Sequence, residues 1–203
     1  MDEGVVTDHK IVMCNQEGLE GDSAETSTEV PRFLSEYVAP TQLGDDLVSG
    51  NIQLQGKLYH IPCPVQEFLD DGWQITSKPG FVPGCRTADL TIEKEGTRLS
   101  VTVTNLTMTQ TLPENCAVTT LMAYDAGDIS LELPGGVYYG MTLDELSAME
   151  LPDFERTEFT YSVHFDYSEF DEREMSLYLD CDKEYGVLNS VWLKCETWDY
   201  PIK

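Results

Sequence analysis

Residues 129–154 read "ISLELPGGVYYGMTLDELSAMELPDF" and follow the plan of residues 52–75, "IQLQGKLYHIPCPVQEFLDDGWQI", about 78 positions earlier. Each stretch begins with two apolar residues two apart, Ile52 with Leu54 and Ile129 with Leu131. Strand side chains alternate between faces, so each pair lies on one side of a strand. A glycine and a tyrosine follow, and then a short helical pattern. In the first stretch Pro64 suits the opening turn of a helix, because it has no amide hydrogen to leave unpaired. Val65, Phe68 and Leu69 then take the three- and four-residue spacing of a buried helical face, which predicts a helix over 65–71. Gly72 accepts the left-handed backbone that ends many helices, and Trp73 starts the next strand. In the second stretch Thr142 and Glu145 form a Thr-x-x-Glu capping box, which satisfies free amides at a helix start.

The segments outside these two stretches read as strands. "TADLTIEKEGTRLSVTVTN" (87–105) is a hairpin turning at Lys-Glu-Gly, with Leu90 and Ile92 on one strand and Leu99, Val101 and Val103 on the other. "CAVTTLMAY" (116–124) supplies a further strand. "TEFTYSVHFDYSEF" (157–170) places Phe159, Tyr161, Val163, Phe165 and Tyr167 on one side. "EMSLYLDC" (174–181) does the same with Met175, Leu177, Leu179 and Cys181, and "GVLNSVWLKCE" (186–196) returns as the last strand. The expected fold class is α+β. It consists of tandem small modules, each a short helix packed on an antiparallel sheet of about four strands. Module 1 spans 51–128 and module 2 spans 129–203. Residues 18–50 form a polar linker, "EGDSAETSTEVP", and an extended lead-in. Within residues 1–17, "GVVTDHKIVMC" aligns with "GVLNSVWLKC". It is expected to be a remnant strand of a preceding repeat, detached or docked on a sheet edge.

The chain has 203 residues, 41% of them hydrophobic and 10% aromatic, enough to build packed cores. Its 12 basic and 37 acidic side chains give a formal charge of −25. Such a field repels phosphate backbones and anionic membranes, so no nucleic-acid partner is expected. No apolar run reaches the ~18 residues of a membrane span. The N-terminus has no signal pattern, which by itself points to the cytoplasm. Six cysteines in an acidic, tyrosine-rich chain suit export instead.

Cys14, Cys63, Cys85, Cys116, Cys181 and Cys195 contain no Cys-x-x-Cys pair, so a closed zinc site is not expected. A turn at 183–186 would set Cys181 opposite Leu188, straining a direct bridge to Cys195. Some disulfides, or buried free thiols throughout, both remain open. His60 and Cys63 could pair as base and nucleophile, but the simpler reading is a packed cysteine beside a surface histidine. The acidic runs 166–174 and 180–184 could gather calcium, yet the second lacks the glycine and glutamate of a calcium loop. Asn105-Leu-Thr107 fits an N-glycosylation acceptor. There is no nucleophile elbow, phosphate loop, dinucleotide fingerprint or His-Glu-x-x-His helix, and no cofactor or metal is expected.

At "YVAPTQLGDDLVSGNIQLQGKLYHIPCPVQEFLDDGW" (37–73), "NCAVTTL" (115–121) and "LPGGVYYGMTLDEL" (133–146), the chain resembles uncharacterised tandem-repeat proteins of anaerobic Gram-positive bacteria. These proteins are exported or lipoprotein-like, and the similarity covers residues 30–200. The strand–helix–sheet plan is similar to the β-lactamase-inhibitor-protein type of module, a fold used for protein binding and as a surface or envelope domain. The resemblance implies an extracellular or cell-surface location and carries over no catalytic residue. The expected function is therefore a non-enzymatic repeat protein that binds a protein or cell-surface macromolecule. Tyr138, Tyr139, Trp192, Trp198 and Tyr200 are the candidate interface, since aromatics anchor interfaces. The alternatives are a structural spacer with no ligand and, more distantly, a hydrolase with an unrecognised carboxylate pair.

Overall fold

The computed structural model describes residues 26–27, 31–124, 126–149, 154–156, 160–166, 175–182 and 186–195. The strand-like run within 1–17 lies outside them. In chain order the elements are β1 (Thr26–Ser27), α1 (Arg32–Ser35), β2 (Asn51–Leu54), β3 (Lys57–His60), β4 (Cys63–Pro64) and α2 (Val65–Asp70). Then follow β5 (Gln74–Ser77), β6 (Thr87–Lys94), β7 (Thr97–Thr104), β8 (Gln110–Thr111) and β9 (Ala117–Tyr124). The remainder is β10 (Leu131–Glu132), α3 (Leu143–Ala148), β11 (Phe154–Arg156), β12 (Thr160–Asp166), β13 (Met175–Asp182) and β14 (Leu188–Cys195). Among the described residues the architecture is mixed α+β, with mostly antiparallel strands and only short helices.

Local chemistry explains the elements. The β6–β7 turn places Glu95 at φ +53 and Gly96 at φ +83, a tight turn with both central residues left-handed, whose twist matches that of the strands. The β2–β3 turn repeats it with Gln55 and Gly56. Val65 and Phe68 of α2 are buried as their spacing requires, and Gly72 at φ +90 ends the helix. The capping box of α3 is complete: Glu145 N–H donates to Thr142 Oγ1 at 3.2 Å, and Thr142 N–H donates to Glu145 Oε2 at 2.9 Å. Cys181 pairs with Leu188, as the expected turn requires.

Among the described residues nine strands form one sheet in the order β11-β12-β13-β14-β9-β7-β6-β5, with β4 also paired to β9. Strand β9 is the seam. One edge bonds to β7; the other bonds to β4 at Ala117 and Val118 and to β14 from Thr120 to Tyr124. The change of partner coincides with a bulge. Thr102 pairs with Thr120 and Val103 with Val118, leaving Thr119 extra, and its hydroxyl donates to Thr102 O at 3.3 Å. Strands β10, β2 and β3 make a small second sheet, and β1 runs parallel to β8.

A single buried cluster joins Ile52, Leu54 and Tyr59 of the small sheet, Phe68 of α2 and Leu146 of α3 to one face of the large sheet. That face supplies Leu90, Ile92, Leu99, Val101, Leu121, Leu177, Leu179, Val191 and Leu193. The lead-in is fastened to the body: Tyr37 Oη accepts from His60 N–H at 2.9 Å, and Gly135 N–H donates to Gly44 O at 3.3 Å. Among the described residues, the opposite, open face of the large sheet exposes Tyr124 and Trp192.

Candidate functional site

Alternation along a strand means that every core residue on the covered face leaves a neighbour on the open one. The register carries one row across this open face: Thr91 opposite Ser100, Ser100 opposite Met122, Met122 opposite Trp192, and Trp192 opposite Tyr178. Tyr178 pairs in turn with His164 at the level of the backbone. The next row sets Tyr124 opposite Ser190 and Ser190 opposite Asp180. Aromatic and thioether side chains thus gather at the centre of the sheet. Tyr124 is 69% exposed and Trp192 36%. The Tyr178 and Trp192 rings are 5.1 Å apart between centroids, tilted by 30°. Arg98, Ser100, Met122 and Tyr124 line a hollow of about 400 Å³ beside them. Burial holds the Asp180 carboxyl above its ordinary range. Lys194 flanks Trp192 on the far side, in the row with Thr120 and Ser176.

Of the aromatics singled out in the sequence, Trp192 belongs to this face. Tyr138 is 39% exposed but stands beside α3, its hydroxyl donating to Glu145 Oε1 at 3.3 Å. Tyr139 is a brace: its hydroxyl donates to Asn189 O at 2.8 Å and accepts from Ala126 N–H at 3.0 Å. Trp198 and Tyr200 lie outside the described residues. Sequence reasoning missed Met122, Tyr124 and Tyr178. For Tyr178 the signal was present, because it alternates with Leu177 and Leu179, which the sequence placed together on one face; "CAVTTLMAY" was read as a strand with neither face assigned.

The other chemical candidates resolve into structural roles. His60 Nδ1 is 2.9 Å from Asn51 Oδ1. Cys63 is fully buried, and burial, followed by the nearby Glu67 charge, pushes its thiol well above the usual range. A thiol in that condition is a poor nucleophile. Burial and Glu114 push Cys116 up to about 12, and burial and Asp180 push Cys181 up to about 11. Cys63, Cys116 and Cys181 are therefore free thiols acting as small core groups; Cys14 lies outside the described residues. Cys85 Sγ donates to Thr107 O at 3.6 Å and lies 3.4 Å from Met108 Sδ.

Asn105 is only 1% exposed, and its amide is fully engaged. Nδ2 donates to Val82 O at 2.9 Å, Pro83 O at 3.1 Å and Thr109 O at 2.8 Å, while Oδ1 accepts from Thr107 N–H at 2.8 Å. The folded chain therefore cannot offer this asparagine as a glycan acceptor. Asp71 Oδ2 accepts from Tyr59 Oη at 2.8 Å and from Lys94 Nζ at 2.9 Å. Burial pushes this carboxyl up, but the bonds from Lys94 and Tyr59 outweigh it and hold the group below the ordinary range. The trio is an ionised bracket between the end of α2, the small sheet and β6. Among the described residues, no three His, Cys, Asp or Glu side chains converge on a metal-sized point, and no helix is long and apolar enough to cross a membrane. Most of the acidic runs 166–174 and 180–184 lies outside the described side chains.

Comparison with known protein families, curated proteins and solved structures finds no match to this chain.

Proposed function

We propose that this chain is a non-enzymatic binding protein of the extracellular space or cell surface that takes a protein partner on the open face of its large sheet. The observation that carries this reading is the cluster of Met122, Tyr124, Tyr178 and Trp192 on one face of a regular sheet, with Tyr124 and Trp192 exposed and Met122 and Tyr178 half-buried. Such side chains gain about 25 cal/mol per Å² when covered, and a hydrogen-bonded sheet presents them with little ordering cost on binding. Tyr and Trp are also the residues that most often anchor interfaces. The formal charge of −25 favours a basic partner over a second copy of the same acidic chain or a nucleic acid. The extracellular placement rests on the sequence resemblance.

The tandem-module reading belongs with this proposal. Helices α2 and α3, and strands β7 and β13, occupy corresponding places about 78 residues apart. Two pairs of corresponding strands, β2 with β10 and β9 with β14, bond to each other antiparallel. Like-with-like antiparallel pairing is what a local two-fold axis between two copies of a unit produces, and this supports duplication.

The test is a selection of random displayed peptides on the immobilised chain, counter-screened against a folded Tyr124→Ser/Trp192→Ser double variant. Clones that lose about tenfold or more in affinity on the double variant support the reading. Clones that bind both forms equally, or the absence of any clones, remove it.

A further inference from the structure

We infer that the hollow at the end of the β7–β9 ladder takes one aromatic side chain, flanked by basic residues, from an extended segment of a basic protein partner. This inference rests on the binding role proposed for the open face and specifies its chemistry. The β7–β9 ladder ends at Ser100 opposite Met122, while β7 begins at Thr97 and β9 runs on to Tyr124. Beyond that last pair the hollow opens. Arg98 and Ser100 line it from β7, Met122 and Tyr124 from β9, and Gly96 and Gly127 add edges without side chains. Its volume of about 400 Å³ lies at the small end of ligand pockets, which run from about 300 to 1,000 Å³. That is room for one large side chain, not for a length of chain.

Three of these groups favour an aromatic occupant over an aliphatic one. Met122 offers a thioether, which is attracted to a ring beyond what covering its area gives. The Tyr124 ring, largely in solvent, offers a face or an edge to a second ring. The exposed Arg98 guanidinium bonds Glu93 Oε2 at 3.4 Å through an N–H in its own plane, so its faces can stack on a ring. The surrounding charge selects the neighbours of that ring. Glu93 lies opposite Arg98 across β6 and β7, Glu95 precedes Gly96 in the turn, and Asp128 follows Gly127. Three carboxylates against one guanidinium leave the rim negative, in keeping with the formal charge of −25. Basic residues on either side of the anchor are drawn to this rim, and an acidic segment is held off.

The experiment titrates the full chain with three labelled peptides of equal length. One carries a tryptophan flanked by lysines, one a leucine flanked by lysines, and one a tryptophan flanked by serines. Ser100→Trp fills the hollow from its own strand, and Tyr124→Ser removes its aromatic wall. Tyr138→Ser makes the same tyrosine change beside α3, away from this face. The lysine-flanked tryptophan peptide is expected to bind about fivefold or more tighter than either of the others. Ser100→Trp and Tyr124→Ser should each weaken it about tenfold, and Tyr138→Ser less than about twofold. Circular dichroism checks that each variant is folded. Equal binding of any two of the three peptides, unchanged binding to Ser100→Trp, or no measurable binding of the lysine-flanked tryptophan peptide each overturn the inference. If the display selection yields face-dependent clones that Ser100→Trp leaves unaffected, the binding role stands and the aromatic anchor falls. If it yields none, both fall.

Discussion

Asn105 holds two loops together through one side chain, and the cost of losing it follows from what it satisfies. Its amide hydrogens serve three carbonyls, those of Val82, Pro83 and Thr109, in a place water does not reach. The approach around it is tight: a Cβ on Gly84 would stand 2.1 Å from Met108 O, so only glycine lets the two backbones meet. Replacing Asn105 by alanine strands the Thr107 N–H, a loss of about 1–3 kcal/mol, and takes one of two donors from each carbonyl, since Val82 O keeps Thr111 N–H, Pro83 O keeps Arg86 N–H and Thr109 O keeps Thr107 Oγ1. Asn105→Ala is expected to lower unfolding free energy by about 3 kcal/mol in urea titrations, and a change under about 0.5 kcal/mol would show the network to be idle. In the sequence the same residue read as the first position of Asn-x-Thr. The pattern was legible but its use was not, because the deciding partners Val82 and Pro83 are brought in only by the folded loop. Cys63 teaches the same lesson. Its nearness to His60 was visible, while the burial that silences the thiol is a property of the strand it joins.

At the scale of elements, the features fixed by neighbouring residues were the readable ones. The β6–β7 hairpin, the stop of α2 at Gly72 and the capping box of α3 depend on contacts within a few positions, and they stand where the sequence put them. Helix α3 is six residues long, too short to hold itself in water, so its ends must be secured. The cap at Thr142 does this together with the bond from Leu143 N–H to Gly186 O at 2.8 Å, which fastens the helix start beside β14. Thr142→Ala removes the side-chain cap and leaves the backbone bond. It should cost about 1 kcal/mol by chemical denaturation, while Thr142→Ser should be nearly neutral. Equal loss in both variants would mean the threonine methyl, not the hydroxyl, matters. Strand β4 escaped the sequence reading because Pro64 has two roles: it ends a two-residue strand against β9 and is the residue before α2. A proline at a helix start announces only the second role.

For the whole molecule, the decisive contact is the pairing of β9 with β14, which makes the strands of the first half of the chain and those of the second into one sheet. Alternation picked out the long strands of each half, but it says nothing about which strand edges meet across long sequence separations. The outward positions Tyr124, Tyr178 and Trp192 become a surface only because that seam sets them side by side, so the candidate site is a product of the join. The seam also governs cooperativity. Leu121 is fully buried on β9 between Val101 of β7 and Leu193 of β14, and the same cluster reaches both α2 and α3. A cavity there withdraws packing from both halves at once, and Leu121→Ala should cost about 2–5 kcal/mol. If the halves share one core, single-tryptophan variants that keep Trp73 in the first half or Trp192 in the second will unfold with coincident curves. Leu121→Ala will move both midpoints together. Separate midpoints, or a shift confined to one tryptophan, would mean that each half folds on its own and that the seam is only a contact between them.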